Sequence, residues 1–398
     1  MRVLFLAPHP FYQDRGTPIA VDLLLRSLSK RGYSIDLVTY HEGKTPLATE
    51  YESIEVHRIF SPPFIRNIRP GFSWKKLFCD FFVFLKAFSL VLRKQYDVVH
   101  AVEESVFMAL VLKFLFGIPY VYDMDSSLSQ QLIEKYPLCS FISPFLELFE
   151  KIAVRNAEAV VPVCDFLAVV VEKYNPRKVT VLRDVSLLNG EENSAQLDLK
   201  KELGIGGLVV MYVGNLETYQ GIDLLLESFA LVLKKTDKAD LVIIGGNPSD
   251  IKKYKEKSLF LGIEKRVHFI GPKPLYILGK YLSQADILVS PRIKGGNTPM
   301  KIYSYLHSGK AILATKLLTH TQVLDEGVAL LVAPSPEEFS SGMLKLIQNE
   351  GLRVKLGEAG KKLIEEKYNY ECFKKELYGL YDWLEKNLAS KRVVSRQT

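Results

Sequence analysis

Cysteine is scarce in the 398-residue sequence. The four cysteines lie far apart and none forms a C-x-x-C pair; they are Cys79, Cys139, Cys164 and Cys372. A disulfide framework or a cysteine-based zinc site is therefore not expected. A reducing, cytoplasmic compartment is expected instead.

Long apolar runs are also missing. The apolar run in MRVLFLAPHP ends at Pro8, which is too short for a signal-peptide core and predicts a first strand instead. The two longest apolar stretches, 81–92 and 106–119, are interrupted by Lys86 and Lys113. No membrane-spanning segment is predicted.

No extreme of composition marks the chain. Charged residues make up 24%, apolar residues 48%, and the net charge is +7. These values are ordinary for a globular protein and exclude a disordered or fibrous one. The length predicts two domains.

Short apolar runs alternate with amphipathic stretches, which is typical of parallel βαβ units with helices on both faces of the sheet. The strands of the first half are predicted at Arg2–Ala7, Ser34–Thr39, Val56–Ile59, Val98–His100, Pro119–Asp123 and Ala159–Val163. Those of the second half are predicted at Val209–Val213, Asp240–Ile244, Val267–Phe269, Ile287–Ser290, Ala311–Thr315 and Ala329–Val332.

A polar, turn-rich segment at 183–206 separates the two series. We expect an N-terminal Rossmann-like domain over 1–185 and a C-terminal one over 186–370. A helix over about 371–390 is free to pack back on the first domain, and a basic, frayed tail follows over 391–398.

Glycines mark four predicted strand ends. The loops are PHPFYQDRGTPIAV, GNLETYQGID, GGNPSD and PRIKGGNTPMKIYSY, and none contains a G-x-G-x-x-G or P-loop pattern. Each loop alone is typical of an ordinary turn. Three of these loops lie in the second half, at strand ends where helix N-termini attract anions. Together they indicate a phosphate-bearing ligand.

These loops carry a resemblance to glycosyltransferase family 4. MYVGNLETYQGIDLLLESFALV, VHFIG, ADILVSP, NTPMKIYSYLHSGKAILAT and RGTPIAVDLLLRSL resemble its segments over nearly the whole chain. The resemblance implies the α/β GT-B fold, in which two Rossmann-like doubly wound domains face each other across a cleft. It also implies that the C-terminal domain holds a nucleotide-sugar donor, which is a substrate, so no cofactor is expected.

Two family features are replaced in this sequence. Where the family commonly has an Arg and a Lys that bind the donor diphosphate, Asn215 and Gln220 stand, and we nominate Arg292 and Lys301 as substitutes. A solvated helix residue is an equal alternative for Lys301. The family's glutamate pair is replaced by Gly296 and Ser304. This leaves two interpretations, a subfamily that holds its donor differently or a protein that has lost transfer activity. The full set of expected donor-binding residues is Gly16, Thr17, Gly214, Asn215, Gln220, Gly221, Gly246, Arg292, Gly296, Asn297, Thr298, Pro299, Lys301 and Ser304.

In the first domain, Asp125 stands where the family usually presents a histidine. It is a catalytic candidate, equally interpreted as a helix N-cap. His100 and Glu103 are further candidates at a strand end, and at most one of Glu103 and Glu104 is expected to face the ligand. His9 is a candidate acceptor contact, although a lone histidine is more often a turn residue.

Retaining transfer of this family type needs no enzyme nucleophile, because the leaving diphosphate can take the acceptor proton. The D-x-D at Asp123–Asp125 lies in the wrong domain for the diphosphate, so no metal site is predicted.

The stretch 66–94 has seven cations and one acid, with aromatic residues between them. We predict a helix from Ser73, with Phe72, Trp74, Lys75 and Lys76 at an exposed end that suits an anionic membrane surface. A buried core helix with a solvated basic end is the alternative, and nucleic-acid binding is not expected.

The expected function is a metal-independent, retaining glycosyltransferase of the hexosyltransferase type. It would use a glycan or lipid-linked acceptor and work in the cytoplasm, peripheral to the inner face of the membrane. The alternatives are a non-catalytic GT-B-like protein that binds nucleotide sugars or glycans, and a nucleotide-sugar epimerase or hydrolase.

Overall fold

The structure is a computed structural model that describes residues 1–14, 16–44, 51–62, 64–66, 68, 73–127, 143–188 and 198–394. Two parallel sheets of six strands each form the frame of these residues. Phe72, one of the residues expected at the exposed end of the basic helix, lies outside the described residues.

The first sheet is built from the first half of the chain. Its strands are β1 (Arg2–Ala7), β2 (Ser34–Thr39), β3 (Ile54–Arg58), β4 (Val98–Val102), β5 (Tyr120–Met124) and β6 (Ala159–Pro162). Their order is β3-β2-β1-β4-β5-β6. The described helices are α1 (Gly16–Lys30), α2 (Trp74–Val91), α3 (Val106–Phe116), α4 (Ser143–Asn156) and α5 (Asp165–Glu172).

The second sheet repeats this arrangement. Its strands are β7 (Leu208–Val213), β8 (Ala239–Ile244), β9 (Val267–Gly271), β10 (Ile287–Ser290), β11 (Ala311–Thr315) and β12 (Leu330–Val332). Their order is β12-β11-β10-β7-β8-β9. The helices are α6 (Leu199–Leu203), α7 (Ile222–Leu233), α8 (Pro248–Phe260), α9 (Leu278–Ser283), α10 (Lys301–His307), α11 (Leu318–Thr321), α12 (Pro336–Gln348), α13 (Glu350–Lys367) and α14 (Tyr370–Val394).

Both sheets match the predicted α/β, doubly wound class, which is confirmed. Four predicted strands, Arg2–Ala7, Ser34–Thr39, Ile287–Ser290 and Ala311–Thr315, have the observed bounds, and the others differ by one to two residues at an end. β3 shows one of these shifts, since it begins at Ile54 and ends at Arg58. As an edge strand with only β2 beside it, it lacks the continuous apolar run that defines a central strand.

The chain divides into two compact units. The N-terminal unit comprises Met1–Arg183 and the chain from Phe373 onward, and the C-terminal unit comprises Asp184–Cys372. The predicted boundary at residue 185 lies two residues from this division.

Helix α14 returns to the N-terminal unit. Arg31 donates to the carbonyl of Tyr378 at 2.8 Å, and the Tyr33 hydroxyl donates to Glu385 at 2.9 Å. The frayed tail was expected from residue 391, but the helix continues to Val394.

The strand order positions the candidate sites. In each unit the next strands in sequence are added on one side of the first strand, and the later strands on its other side. The strand order therefore reverses between β1 and β4 and between β7 and β10. Loops that leave the carboxyl ends of such strands diverge and create a crevice in which ligands of α/β proteins bind.

None of the helices in the described ranges is both long enough and apolar enough to cross a membrane.

Candidate functional site

Three loops of the C-terminal unit touch at the reversal between β7 and β10, and glycines make this possible. Gly221 has φ +74°, and a Cβ there would lie 2.0 Å from the carbonyl oxygen of Pro291. A Cβ on Gly245 would lie 2.1 Å from the carbonyl oxygen of Gly214. The loop after β7 is therefore in backbone contact with the loops after β10 and β8.

Lys301 places an amine in this crevice. Its Nζ donates to Oε1 of Gln220 at 3.0 Å and lies 4.0 Å from the centre of the Tyr212 ring. Burial, and then the charge of Arg292, hold the pKa of Lys301 well below its usual range. No carboxylate among the described residues forms an ion pair with Lys301. The amine thus loses water without gaining a carboxylate partner, and a bound anion would favour its charged form.

Arg292, the other cation nominated for the diphosphate, makes hydrogen bonds within its own loop. Its guanidinium donates to Oδ1 of Asn297 at 2.8 Å, to the carbonyl of Asn297 at 3.3 Å and to that of Lys294 at 2.7 Å. It also lies 5.2 Å from the centre of the Tyr219 ring. Arg292 therefore closes the loop after β10 on itself, and Lys301 is the more available cation.

His320 supports this loop through a series of buried hydrogen bonds, a role that the sequence did not indicate. The ring is fully buried, and burial lowers its pKa to about 3, so the ring is neutral. Nδ1–H donates to the carbonyl of Thr315 at 2.8 Å, and Nε2 accepts from the Ser290 hydroxyl at 2.8 Å. The Thr315 hydroxyl in turn donates to the carbonyl of Arg292 at 2.6 Å. No motif in the sequence indicates this series of hydrogen bonds, because Ser290, Thr315 and His320 belong to three separate elements.

The other predicted donor residues of the C-terminal unit lie around the same crevice. The hydroxyl of Thr298 is buried and has no partner among the described residues. Ser304 is buried in α10, and its hydroxyl accepts from the backbone N–H of Leu187 at 3.0 Å. Asn215 is exposed, and its side-chain oxygen accepts from the backbone N–H of Glu217 at 3.3 Å. The remaining members occupy the loops after β8 and β10: Gly246, with φ +80°, Gly296, Asn297 and Pro299.

In the N-terminal unit, carboxylates gather where β4 and β5 end. Burial, and then the charge of Asp123, raise the pKa of Asp125 to about 7, although a hydrogen bond from Thr17 opposes this. Ser126 donates to both carboxylate oxygens of Glu103, at 2.9 and 2.8 Å. Burial, Asp125 and Glu104 raise the pKa of Glu103 well above its usual value. Asp125, Glu103 and Thr17 thus lie close together, and Gly16 begins the adjacent helix α1.

The structure does not bring His100 to this surface. Its ring is fully buried, stacked on Phe5 at 4.5 Å, with Nδ1 and the Tyr381 hydroxyl 2.9 Å apart. Nε2 lies 3.3 Å from Asp123. The expectation that His100 contacts a ligand is wrong for this arrangement, because the sheet and α14 cover the ring. His9, directly after β1, is also largely buried.

Lys76 is likewise not part of an exposed end. Its side chain turns inward and pairs with Glu104, while Trp74 is exposed and Lys75 donates to the carbonyl of Arg66 at 2.8 Å. The inward turn follows from helix geometry, since residue 76 lies on the same side of α2 as the buried Cys79 and Val83.

Among the described residues, one group has the spacing of a metal site: Asp36, Glu55 and His57. Lys94 donates to both carboxylates at 2.7 Å, and His57 lies 2.7 Å from Asp36. These contacts already satisfy the carboxylates, so an ion pair network accounts for the group.

Solved structures with the same architecture define the fold. Sucrose-phosphate synthase (tll1590) from Thermosynechococcus elongatus superimposes with a TM-score of 0.78 at 18% identity, over 97% of this chain and 99% of that one. Anabaena Alr3699/HepE in complex with UDP gives 0.73 at 16% identity, over 96% and 100%. WaaG, a glycosyltransferase involved in lipopolysaccharide biosynthesis, gives 0.71 at 15% identity, over 94% and 98%. The chain has the GT-B fold.

Sequence comparison gives the family. The profile of Glycosyltransferase Family 4 matches residues 15–183, and that of Glycosyl transferases group 1 matches residues 196–363. The chain therefore belongs to the family-4 glycosyltransferases, and the resemblance noted from its motifs is confirmed.

The individual relatives are distant. The uncharacterized glycosyltransferase MJ1069 of Methanocaldococcus jannaschii is 26% identical over 44% of this chain and 44% of its own length. The D-inositol 3-phosphate glycosyltransferase of Corynebacterium glutamicum (strain R) is 28% identical over 46% and 47%. The match thus spans less than half the length of these two relatives. MJ1607 of M. jannaschii, another uncharacterized glycosyltransferase, is 23% identical over 92% and 94%.

Proposed function

We propose that this protein is a retaining glycosyltransferase that moves a sugar from a nucleoside-diphosphate sugar to a glycan or lipid-linked acceptor. The observation that carries the proposal is Lys301, a buried amine at the strand-order reversal of the C-terminal unit that pairs with no carboxylate in the part of the chain the structure describes. A diphosphate supplies the missing negative charge. The structural relative HepE, which has been solved with UDP and with UDP-glucose, supports a donor of this type.

The residues of the C-terminal unit provide charge and position. Lys301 binds the diphosphate and stabilises the charge that grows on it as the sugar leaves. The Thr298 hydroxyl adds a hydrogen bond to the donor. Ser304 replaces a carboxylate, and because its oxygen already accepts from Leu187, it can offer the donor its O–H and at most one further lone pair, without charge. The donor is thus held mainly through its phosphates.

Transfer with retention needs no covalent enzyme intermediate. The bond from the acceptor oxygen to the anomeric carbon forms on the face from which the diphosphate departs, and the acceptor proton passes to the departing phosphate oxygen. In the N-terminal unit, Asp125 and Glu103 accept hydrogen bonds from sugar hydroxyls. Lys301 offsets part of the diphosphate charge, and we expect the reaction to proceed without a divalent metal.

Donor binding tests the role of Lys301. In calorimetric titrations with UDP-, GDP-, ADP- and TDP-sugars, one base should be preferred, and Lys301→Met should weaken that donor roughly tenfold to a hundredfold, as the loss of a charge-assisted hydrogen bond does. The matched control is Lys316→Met, because Lys316 is exposed in the same unit and pairs with Glu326 at 2.9 Å. Equal donor affinity in both variants would refute the assignment of Lys301.

The reaction itself is followed in the same preparation. Transfer should persist after exhaustive chelation, and the anomeric configuration of the product should equal that of the donor. An absolute requirement for Mg²⁺ or Mn²⁺ would contradict metal independence. Donor binding without transfer to any acceptor would favour a binding protein, and release of free sugar or its epimer would favour a hydrolase or an epimerase.

A further inference from the structure

The N-terminal unit contains a cavity that the proposed transfer reaction does not use. It lies where the C-terminal parts of α3 and α14 meet the start of β6, and its volume is about 510 Å³. Pockets that hold small ligands span about 300–1,000 Å³, so the size suits a small organic molecule. Six residues line the cavity: Lys113, Glu158, Arg177, Trp383, Asn387 and Lys391.

Three cations surround one carboxylate in this cavity. Arg177 donates to Oε1 of Glu158 at 2.7 Å, and Nζ of Lys113 lies 3.7 Å from the same oxygen. Oε2 accepts from Lys391, and from the side-chain amide of Asn387 at 3.2 Å. No other carboxylate in the described part of the chain forms an ion pair with these cations. The cavity therefore has two more positive charges than negative ones.

Lys113 is the most buried of the three cations. Only 20% of its side chain is exposed, whereas Arg177 and Lys391 keep 46% and 48%. Burial lowers the pKa of Lys113, and the charges of Arg177 and Lys391 lower it further, against the attraction of Glu158. A bound anion would offset this repulsion and favour the charged form of the lysine.

Regular structure holds the cations around the cavity before any ligand binds. Nζ of Lys113 also donates to the carbonyl of Asn156 at 2.6 Å. Arg177 precedes a segment that pairs with β6 through Val160 and Val179. Side chains that are already fixed lose less conformational freedom on binding, which favours affinity.

Helix α14 adds an aromatic ring to the cations. Trp383, Asn387 and Lys391 follow one another at intervals of four residues, which places them on one side of the helix. Trp383 is half-buried, so part of the indole remains accessible from the cavity. An indole presents a large, rigid apolar face on which the ring of an organic group can pack.

We propose that this cavity binds a small organic phosphate, in the form of a phosphate monoester. Such an ester carries about −1.5 to −2 charges at pH 7, close to the positive excess of the cavity. The phosphate oxygens accept hydrogen bonds from Lys113, Arg177 and Lys391. The organic part packs on Trp383. The inference does not depend on the proposed transfer reaction, whose donor site lies in the C-terminal unit.

The alternative is that the cluster only fastens α14 to the rest of the unit. One cation is enough to neutralise Glu158, whereas a second and a third repel each other. The lowered pKa of Lys113 shows that the cluster as it stands disfavours one of its own charges. A doubly charged ligand explains why all three cations face the same cavity.

Tryptophan fluorescence of the full chain tests the proposal. The chain has two tryptophans, and Trp74 is 61% exposed, so Trp74→Phe leaves Trp383 as the only reporter. Phenyl phosphate should change this emission in a saturable way. Phenyl sulfate, which has the same shape but a single charge, should bind more weakly. Inorganic phosphate should also bind more weakly, because it has no ring to pack on the indole.

Substitutions made in the Trp74→Phe chain identify the cations. Lys113→Met and Arg177→Met should each weaken phenyl phosphate by roughly tenfold or more, as the loss of a charge-assisted hydrogen bond does. The matched control is Lys375→Met, because Lys375 is exposed on α14 and does not line the cavity. Lys301→Met should leave the titration unchanged, which separates this cavity from the proposed donor site.

Unfolding midpoints measured without ligand show that each variant is folded under the titration conditions. The proposal is overturned if phenyl phosphate leaves the emission of Trp383 unchanged, or if phenyl sulfate or inorganic phosphate binds as tightly as phenyl phosphate. It is also overturned if Lys375→Met weakens binding as much as Lys113→Met and Arg177→Met do.

Discussion

At the scale of single residues, the charge of Lys301 depends on what surrounds it. Gln220 provides a neutral oxygen and Tyr212 a ring face, whereas Arg292 adds a repulsive charge. Without a bound anion, such an environment favours the neutral amine. A diphosphate would reverse the preference and restore the pKa of the ammonium.

Donor affinity should therefore depend on pH. Protons are taken up on binding once the pH exceeds the lowered pKa of Lys301, so affinity should fall as the pH rises, at most tenfold per pH unit. Lys301→Arg should remove this dependence below pH 10, because a guanidinium stays protonated. Calorimetry in buffers of different ionisation enthalpy counts the protons; no uptake in the unmodified chain would contradict the prediction.

The same group affects folding in the opposite sense. A lysine with a depressed pKa binds fewer protons in the folded than in the unfolded state, so the donor-free protein gains stability as the pH rises from that pKa toward 10.5. The donor should therefore bind best in the pH range in which the donor-free protein is least stable.

Sequence reasoning identified Lys301 but not its partners. Gln220 was predicted to replace a family cation that binds the donor, and its contact with Lys301 requires two loops far apart in the chain to meet. Arg292 was nominated for the diphosphate, yet its side chain closes its own loop. The burial of His100 was also not predictable, since it depends on α14, which is distant in the sequence.

At the scale of elements, close backbone contacts hold the loops of the C-terminal unit together. Gly221 and Gly262 have similar left-handed backbones, with φ +74° and +68°, but only Gly221 lies against other backbone atoms. The pair therefore separates the cost of a left-handed conformation from the cost of the close approach.

Gly262→Ala should lower the free energy of unfolding by about 1–2 kcal/mol, the cost of a side chain in a left-handed conformation. Gly221→Ala should cost about 1–3 kcal/mol more, because the new Cβ would displace the Pro291 carbonyl, and it should also weaken donor binding. Chemical denaturation followed by donor titration measures both effects. Equal losses in the two variants would show that the loops tolerate separation.

Element positions followed well from the sequence, because apolar runs of four to six residues mark buried parallel strands. The direction in which a helix faces was less accessible. Helix α2 was expected from Ser73, and Ser73 does cap it by accepting from the N–H of Lys76 at 3.3 Å. Its near-uniform apolar composition, however, did not distinguish the side with Cys79 from the side with Phe81.

At the scale of the whole molecule, helix α14 completes the N-terminal unit. Tyr381 is fully buried, lies parallel to the His100 ring at 6.2 Å and contacts Tyr33 at 5.4 Å. A helix over about 371–390 was expected, but only the fold shows that it packs against the first sheet.

Tyr381→Ala should lower the free energy of unfolding of the N-terminal unit by about 3–5 kcal/mol, the usual cost of removing a buried aromatic side chain. Tyr276→Ala is the control, because that ring is 83% exposed. Hydrogen exchange resolved by peptide should show faster exchange in β1 and β4 of the first variant and unchanged exchange in β7 and β10. Equal destabilisation of both units would contradict the division described above.

The return of α14 also affects the order in which the two units are completed during synthesis. The ribosome synthesises β1 to β6 first, but the helix that packs on the His100 face of their sheet emerges only after the whole C-terminal unit. Although domains usually fold in the order of synthesis, the unit that is started first here is completed last. The C-terminal unit is continuous in sequence, so it has all its strands before the N-terminal unit has its final helix.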